Sequence, residues 1–390
     1  MSKRFFTSQF DLVVTFVIGV FIALVALSFL FVPGETDFEV SSTLGTDTKV
    51  SFAKSGDFLV HCSGSRDAQD CIKGQRARGA TRAVLWLGNS QLHEINQWKS
   101  GDKNAPNILF ESLNQHKFDL LTFSFGNASL QEHYVTFEFL RRRLPLKTLI
   151  LPLVFDDMRE GGVRSDIAHF MEDIGTSRSL SETMIGERLV SSFQLGLGAE
   201  VITTDNGNSE IGGTLQKLTE SKLNDWLGTY SRLWQLRPEI RGWLFIGLYR
   251  VRNFVFGITP NTERAIIKGR YRSNLAALEA ILDRASNEGI QVIMYIAPLR
   301  GGVRIPYVPA QYSTFKRDME SLGIRYGSIF KNYEELIPDR FWGTKESTSL
   351  GNKEELDFMH FRAPGHHILA ESLHELVIET SSMGRIEIRP

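Results

Sequence analysis

The chain has 390 residues, of which 42% are hydrophobic and 23% are charged, so it holds enough apolar material for a large globular core. Its 44 basic and 45 acidic residues leave a formal net charge of −1. No bulk electrostatic field therefore attracts nucleic acid, and we expect no DNA or RNA partner.

The N-terminus carries a long apolar segment, Leu12–Val32, which contains no charged residue. As a helix rising ~1.5 Å per residue it reaches about 30 Å, the thickness of the hydrocarbon core of a bilayer. Lys3 and Arg4 precede the segment and acidic residues follow it. The positive-inside rule then predicts a single-pass anchor in the cytoplasmic membrane, with residues 1–11 in the cytoplasm and the rest outside, in the periplasm of a Gram-negative cell. A cleaved signal peptide is the alternative.

Residues 33–82 have mixed polarity without a long periodic segment, and we interpret them as a lead-in or stalk that packs on the following domain. Cys62 and Cys71 lie here and are the two cysteines of the chain. In an oxidising compartment two cysteines this close are expected to form a disulfide, with free thiols as the alternative. His61 is adjacent, but no second ligand pair follows, so we expect no metal site.

A regular alternation of short apolar runs and longer periodic segments begins at Ala83. The predicted strands are Ala83–Leu87, Phe118–Phe125, Thr148–Phe155 and Gln291–Leu299, and the predicted helices are Leu130–Arg143, Thr262–Glu288, Ala310–Leu322 and a final helix through Leu376. This pattern predicts an α/β domain over residues 83–390, with a doubly wound, mainly parallel sheet and helices on both faces. Ligands of such sheets bind at the carboxyl ends of the strands.

The first predicted strand ends in Gly88-Asn89-Ser90 and passes into a polar segment compatible with a helix. A serine on such a turn stands clear of the sheet, beside backbone amides that can stabilise an oxyanion. Ser90 is therefore a candidate nucleophile. The alternative is a serine that only caps the helix.

Near the C-terminus, Asp357 and His360 stand three residues apart, and Pro364 suits the first turn of the final helix. This spacing predicts His360 on the loop before that helix, with Asp357 beside it. A serine nucleophile needs an imidazole to take its proton and a carboxylate to orient that imidazole. Ser90, His360 and Asp357 thus form a candidate catalytic set, with His93, His366 and His367 as weaker candidates for the base.

The order Ser, Asp, His and the Asp-x-x-His spacing resemble the SGNH (GDSL-type) hydrolase superfamily, in which the serine follows the first strand and Asp-x-x-His precedes the last helix. Here GNSQ stands where the family usually has GDS. The resemblance implies oxyanion donors from the nucleophile's amide, a glycine after the second strand and an asparagine after the third. Gly126 matches the second donor. Asn127 is a candidate for the third, because Asp156, Asp157 and Arg159 follow the third strand instead of an asparagine.

The predicted span and a large insertion resemble the membrane-anchored branch of this superfamily, which includes periplasmic proteins of alginate-type O-acetylation and the D-alanyl transfer protein of teichoic acids. This resemblance implies a serine-dependent O-acyltransferase or esterase that acts on an envelope or secreted polysaccharide through an acyl-Ser90 intermediate. It also implies a membrane-bound O-acyltransferase as partner and no cofactor. A non-catalytic accessory or binding subunit with the same fold is the alternative.

The insertion is expected over residues 175–262, between the third and fourth predicted strands. Residues 175–213 are predicted as mostly loop with one helix over Glu182–Phe193. Residues 223–258 interleave aromatic side chains with arginines, which suits a helix at a membrane surface or against a membrane partner. Packing into the core and glycan binding are the alternatives.

Four further polar residues lie near the predicted strand ends. Arg159 and Arg300 end strands at the presumed active edge, where they either bind an anionic substrate or pair with Asp156 and Asp157. Glu132 and His133 are expected to make ordinary surface contacts.

Overall fold

The computed structural model describes residues 47–195, 250–259, 262–345 and 354–383, together with residues 19, 247, 248 and 347. The chain divides into two compact units, and most described residues belong to the larger one, which comprises residues 44–204, 258–347 and 351–390. In the smaller unit, the described residues include a helical stretch over 250–255.

The larger unit contains short and long strands in alternation with helices. The strands are β1 Lys49–Val50, β2 Lys54–Ser55, β3 Phe58–Leu59, β4 His61–Cys62, β5 Ala83–Gly88, β6 Glu94–Ile95, β7 Asp119–Ser124, β8 Leu146–Leu153, β9 Gln291–Ile296, β10 Ile329–Asn332, β11 Trp342–Lys345 and β12 Glu355–Phe361. The helices are α1 Ser65–Arg78, α2 Ser90–His93, α3 Ala105–Asn114, α4 Leu130–Arg141, α5 Ser165–Ala168, α6 Ile174–Leu180, α7 Met184–Gln194, α8 Lys268–Asn287, α9 Pro309–Arg325 and α10 Ala363–Met383.

The main sheet has six parallel strands in the order β10-β9-β8-β5-β7-β4. Alternate side chains of each strand enter different cores, as the twofold period of a strand requires. Val84 and Trp86 pack with α3 and α10 on one face, whereas Leu85 and Leu87 pack with α1, α4, α8 and α9 on the other. The predicted α/β class, with a parallel sheet flanked by helices, is confirmed.

The strand order places the carboxyl end of β5 at the topological switch point of the sheet, where successive connections run in opposite directions. From β5 the chain crosses to β7 on one side, and it then returns to β8 on the other side of β5. The connections after β5 and β8 therefore diverge, which opens a crevice at the carboxyl end of β5. Ser90 follows β5 at this point.

The four predicted strands are present with shifted ends, but the two edge strands were not predicted. In the described part of the segment interpreted as a lead-in or stalk, β4 is an edge strand of the main sheet and α1 packs on that sheet. The composition of α1 is strongly polar, so its few buried side chains, such as Ala68 and Ile72, give little periodicity.

The predicted disulfide is confirmed. Cys62 at the end of β4 is bonded to Cys71 in α1, with a Cα–Cα distance of 6.5 Å, and both residues are fully buried. The bond therefore attaches the edge strand of the sheet to the helix that follows it.

Over residues 174–195 the structure has two helices, α6, which packs against α4, and α7, which packs against α8. The single helix predicted there corresponds to α7. Residues 196–246, and with them most of the aromatic and arginine segment, lie outside the described residues. Among the described residues no helix has the length and apolar character to cross a bilayer. The predicted anchor over 12–32 lies outside the described residues except for Gly19.

Candidate active site

Ser90 is the first residue of the single-turn helix α2, and Asn89 is its N-cap. Asn89 has an extended backbone, and its Oδ1 accepts a hydrogen bond from the N–H of Gln91 at 3.1 Å. The capping alternative for Ser90 was therefore wrong, because its neighbour performs that role and leaves the Ser90 hydroxyl available. Gly88 permits the tight turn, since a Cβ at this position would lie 2.1 Å from Leu92.

His360 and Asp357 meet Ser90 from the other end of the chain. Nε2 of His360 lies 2.9 Å from Oγ of Ser90, and Nδ1 lies 2.9 Å from Oδ2 of Asp357. The structure thus brings the three predicted residues into a hydrogen-bonded row. The predicted loop placement was wrong: Asp357 and His360 lie in β12, which pairs antiparallel with β11 immediately before α10. Both residues lie between Leu356 and Phe361, where the register of β12 with β11 shifts.

Two carboxylates determine the charge on the His360 ring. The ring is largely buried, with 14% of its side-chain surface exposed, and burial disfavours its charged form. Asp357 at Nδ1 and Glu94, whose Oε2 lies 3.1 Å from Nε2, outweigh burial and raise the pKa of His360 to about 9. Burial likewise opposes ionisation of Asp357, but His360 and the N–H groups of Met359 and His360 outweigh it and lower the pKa of Asp357.

Two amide side chains connect the row to its surroundings. Gln91 donates to the carbonyls of Pro298 and Met359 at 2.9 and 2.7 Å, so the residue after Ser90 is attached to the strand that carries His360. Asn96 donates to Oδ2 of Asp357 at 3.2 Å and to the carbonyl of Thr344 at 3.0 Å. Sequence reasoning assigned neither residue a role, although both lie within six residues of Ser90.

The two predicted oxyanion residues follow β7, the neighbour of β5. The N–H of Phe125 donates to the carbonyl of Gly88 at 3.3 Å, which joins the ends of these strands. Gly126 is partly buried, and space is open where a Cβ would lie. Asn127 is exposed and has a φ of 51°, a left-handed conformation that asparagine tolerates. The backbone carbonyls of Gly126 and Asn127 both accept hydrogen bonds from Nη2 of Arg164.

The acidic and basic residues that follow β8 and β9 make contacts within the protein itself. Nη1 of Arg159 lies 3.1 Å from Oδ1 of Asp156, so the predicted ion-pair alternative holds for this arginine. Arg300 donates to the carbonyl of Gly343 at 2.8 Å. Asp157 is buried, which raises its pKa well above the usual range, and it accepts a 2.9 Å hydrogen bond from Nδ2 of Asn89. Asp157 therefore supports the turn that carries Ser90.

Other histidines near the row make hydrogen bonds inside the protein. Nε2 of His366 lies 3.1 Å from the carbonyl of Glu94, and burial lowers the pKa of His366 to about 3. Nδ1 of His93 lies 2.6 Å from Oγ of Ser124. Within the described ranges no group of three or more His, Cys, Asp or Glu side chains has metal-binding geometry.

The surface contacts expected for two residues of α4 were wrong. Glu132 is buried, accepts from the N–H of Ser129 and forms an ion pair with Arg164 at 2.6 Å. His133 is fully buried, and burial lowers its pKa to about 3. The capping box that Glu132 forms with Ser129 could have been recognised from the Ser-x-x-Glu spacing.

Comparisons with known proteins find little similarity. No family model and no curated protein matches the chain. One solved structure that resembles it is that of a Bacteroides fragilis protein provisionally described as an acylhydrolase, with 9% sequence identity, a TM-score of 0.35, and coverage of 78% of this chain and 94% of that one. A likeness this remote shows neither the fold nor the activity.

Proposed function

We propose that the chain is a serine-dependent acyl-transfer enzyme, an esterase or O-acyltransferase, with Ser90 as nucleophile, His360 as general base and Asp357 as the carboxylate that orients His360. The observation that carries this proposal is the unbroken row of contacts, 2.9 Å from Ser90 Oγ to His360 Nε2 and 2.9 Å from His360 Nδ1 to Asp357 Oδ2. Distances of this size permit direct proton transfer between hydroxyl and ring.

In the first step Oγ of Ser90 forms a bond to the acyl carbon while its proton passes to Nε2 of His360. The oxyanion is stabilised by the amides of Ser90 and Gly126, with Asn127 as a further donor. The leaving alcohol then takes the proton from Nε2, and acyl-Ser90 remains. In the second step an acceptor hydroxyl gives its proton to Nε2 while its oxygen attacks the acyl carbon. The bond between that carbon and Oγ of Ser90 then breaks, and Oγ takes the proton from Nε2, which releases the acylated acceptor and restores Ser90.

The charge of His360 sets the pH range of this chemistry. A base must be unprotonated before it accepts the serine proton, and the pKa of His360 is about 9. The uncharged ring is therefore a minor species at neutral pH, and the rate of acylation rises with pH until His360 has lost its proton.

The acceptor distinguishes a transferase from an esterase. With water as acceptor the acyl group is hydrolysed, and with a sugar hydroxyl it is transferred. The resemblance of GNSQ and DFMH to envelope-acylating proteins supports a polysaccharide acceptor, and the apolar run over 12–32 supports an anchored, extracytoplasmic enzyme that works with a membrane-bound O-acyltransferase.

A trapping experiment tests the proposal. The full chain is incubated with an activated acetyl ester above pH 9 and its intact mass is measured, with and without an oligosaccharide acceptor. We expect one acetyl group on the wild type and none on the Ser90→Ala variant. Ser63→Ala is a matched control, because Ser63 also follows a strand of the main sheet at its carboxyl edge but bonds to Asp67 instead of a histidine. Equal acetylation of the Ser90→Ala variant contradicts the proposal.

A further inference from the structure

The His360 ring faces a carboxylate at each of its two nitrogens. A serine, histidine and aspartate set requires the carboxylate at Nδ1, which Asp357 supplies. Glu94 is an additional carboxylate at Nε2, the nitrogen that exchanges a proton with Ser90.

Local structure holds Glu94 in this position. Glu94 closes the single turn of α2, its N–H donating to the carbonyl of Ser90, and residues four apart on a helix lie on the same face. Its backbone pairs with Val50 in β1, and its carbonyl lies 3.1 Å from Nε2 of His366. With three backbone contacts on separate elements, the carboxylate of Glu94 is directed at the nucleophile side of the ring.

The contact between Glu94 and His360 is one of charge. Oε2 of Glu94 is buried and has no hydrogen-bond partner among the described residues, although it lies 3.1 Å from Nε2. Oγ of Ser90, at 2.9 Å, has the hydrogen-bonding position. Glu94 can therefore stabilise positive charge on the ring without displacing Ser90 from it, and a buried opposite charge at this distance is weakly screened.

Other charged and titratable groups around the ring do not cancel this effect. Asp357 on β12 acts in the same direction, and Lys345 on β11 opposes both carboxylates. His366 on α10 is held neutral by burial. His93 on α2 faces Glu94 instead, with its Nε2 3.6 Å from Oε1.

We propose that Glu94 is a positioning residue that stabilises protonated His360 from the nucleophile side and thereby moves the reaction of Ser90 to alkaline pH. The catalytic part of this inference rests on the proposed function, whereas the charge coupling of Glu94 and His360 is independent of it. When Ser90 gives its proton to Nε2, the negative charge of Glu94 compensates the new positive charge on the ring.

Ring titration by NMR tests the coupling without any substrate. The full chain is labelled with ¹³C at histidine Cε1, and the signal that disappears in the His360→Gln variant is followed against pH. We expect the wild-type ring to titrate with a midpoint at about pH 9. In the Glu94→Gln variant the midpoint should be lower by about one pH unit or more, since an opposite charge this close shifts a pKa by that much. The matched control is Glu111→Gln, which removes an exposed carboxylate of α3 that pairs with Lys103, and it should titrate as the wild type does.

The same midpoint in folded Glu94→Gln and wild-type protein overturns the proposal. If Glu94→Gln does not fold, the Glu94→Asp variant moves the carboxylate away from the ring by one methylene. A titration midpoint of His360 between pH 7 and the wild-type value then supports the coupling, whereas an unchanged midpoint overturns it. The pH profile of ester turnover gives a second readout. In the Glu94→Gln variant we expect the ascending limb of this profile to move to lower pH together with the titration midpoint of the ring. A loss of turnover by the same factor at every pH, with the limb at its wild-type position, contradicts a positioning role. A shifted ring without acylation of Ser90 at any pH supports the coupling and rejects the proposed function alone.

Discussion

Asn96 donates a hydrogen bond over 3.2 Å to Oδ2 of Asp357, the carboxylate oxygen that also lies 2.9 Å from Nδ1 of His360. Asn96 follows β6, whereas Asp357 lies in β12, so this hydrogen bond joins the Asp357 end of the hydrogen-bonded row to the segment that carries Ser90. The N–H of Asn96 donates to the carbonyl of Phe361, which reinforces the same junction.

The Asn96→Ala variant should lose both stability and activity. A buried hydrogen bond to a charged group contributes about 2 kcal/mol to the free energy of unfolding. If its loss raises the activation free energy by a similar amount, because Asp357 no longer orients His360, kcat/KM falls roughly tenfold or more. Denaturant unfolding and ester hydrolysis measure the two effects. Asn104→Ala is the control, because Asn104 is a buried asparagine that caps α3 and its loss should reduce stability alone. Equal kcat/KM for Asn96→Ala and wild type would show that Asn96 does not orient Asp357.

Gly343 offers an independent way to displace the same amide. A Cβ at Gly343 would lie 2.1 Å from Oδ1 and 2.3 Å from Cγ of Asn96, so the Gly343→Ala variant must push the Asn96 side chain away from Asp357. We expect kcat/KM to fall as it does in Asn96→Ala, roughly tenfold, and the double variant to be no worse than either single one. Full additivity of the two losses would mean that Gly343 acts elsewhere.

The stability of the protein should decline between neutral and alkaline pH because of His360. Its folded-state pKa of about 9 lies above its ordinary value of 6.5, so its charge stabilises the fold fully below 6.5 and this contribution is lost as the pH rises through 9. The loss amounts to about 3 kcal/mol. Urea unfolding at a series of pH values measures it, with His360→Gln as reference. Below pH 6.5 the free energy of unfolding should change with pH in the same way in the two proteins. Parallel curves above pH 6.5 as well would contradict the assignment of the pH dependence to His360.

Reduction of the disulfide should destabilise the larger unit. Cys62 and Cys71 are nine residues apart, and closing a loop of this size stabilises a fold by about 2.5 kcal/mol. Thermal unfolding with and without a thiol reductant measures the effect, with reduction confirmed by mass. The double variant Cys62→Ser with Cys71→Ser should resemble the reduced wild type and not respond to the reductant. A reductant effect of the same size on the double variant would point to another cause.

The sequence predicts the centre of the sheet well and its edges poorly. Strands β5, β7, β8 and β9 are buried on both faces, so their continuous apolar runs are recognisable. Strands β4 and β10 have two and four residues, and β10 is partly exposed, so neither gives a clear pattern. The pairing of β11 with β12 was not predicted either, because nine residues separate the two strands in the sequence, more than the short turns that mark a hairpin.

The candidate site divides in the same way. The meeting of Ser90, His360 and Asp357 could be predicted, because nucleophilic chemistry requires these residue types side by side, whatever the fold. Glu94, Gln91 and Asn96 could not, because their roles depend on which distant segments pack against them: β12 for Glu94 and Asn96, and the chain after β9 for Gln91. Arg159 and Arg300 were predicted from strand ends alone, and the structure shows both in contact with the protein itself.

Covalent labelling of Ser90 tests the central claim most directly. The full chain is treated with a fluorophosphonate probe above pH 9, where His360 is deprotonated, and the modified peptide is identified by mass spectrometry. We predict stoichiometric labelling of Ser90 in the wild type, slower labelling by several orders of magnitude in His360→Gln, and no labelling in Ser90→Ala. Labelling of the wild type at the rate of His360→Gln, or equal labelling of Ser90→Ala, would contradict a nucleophilic Ser90 activated by His360.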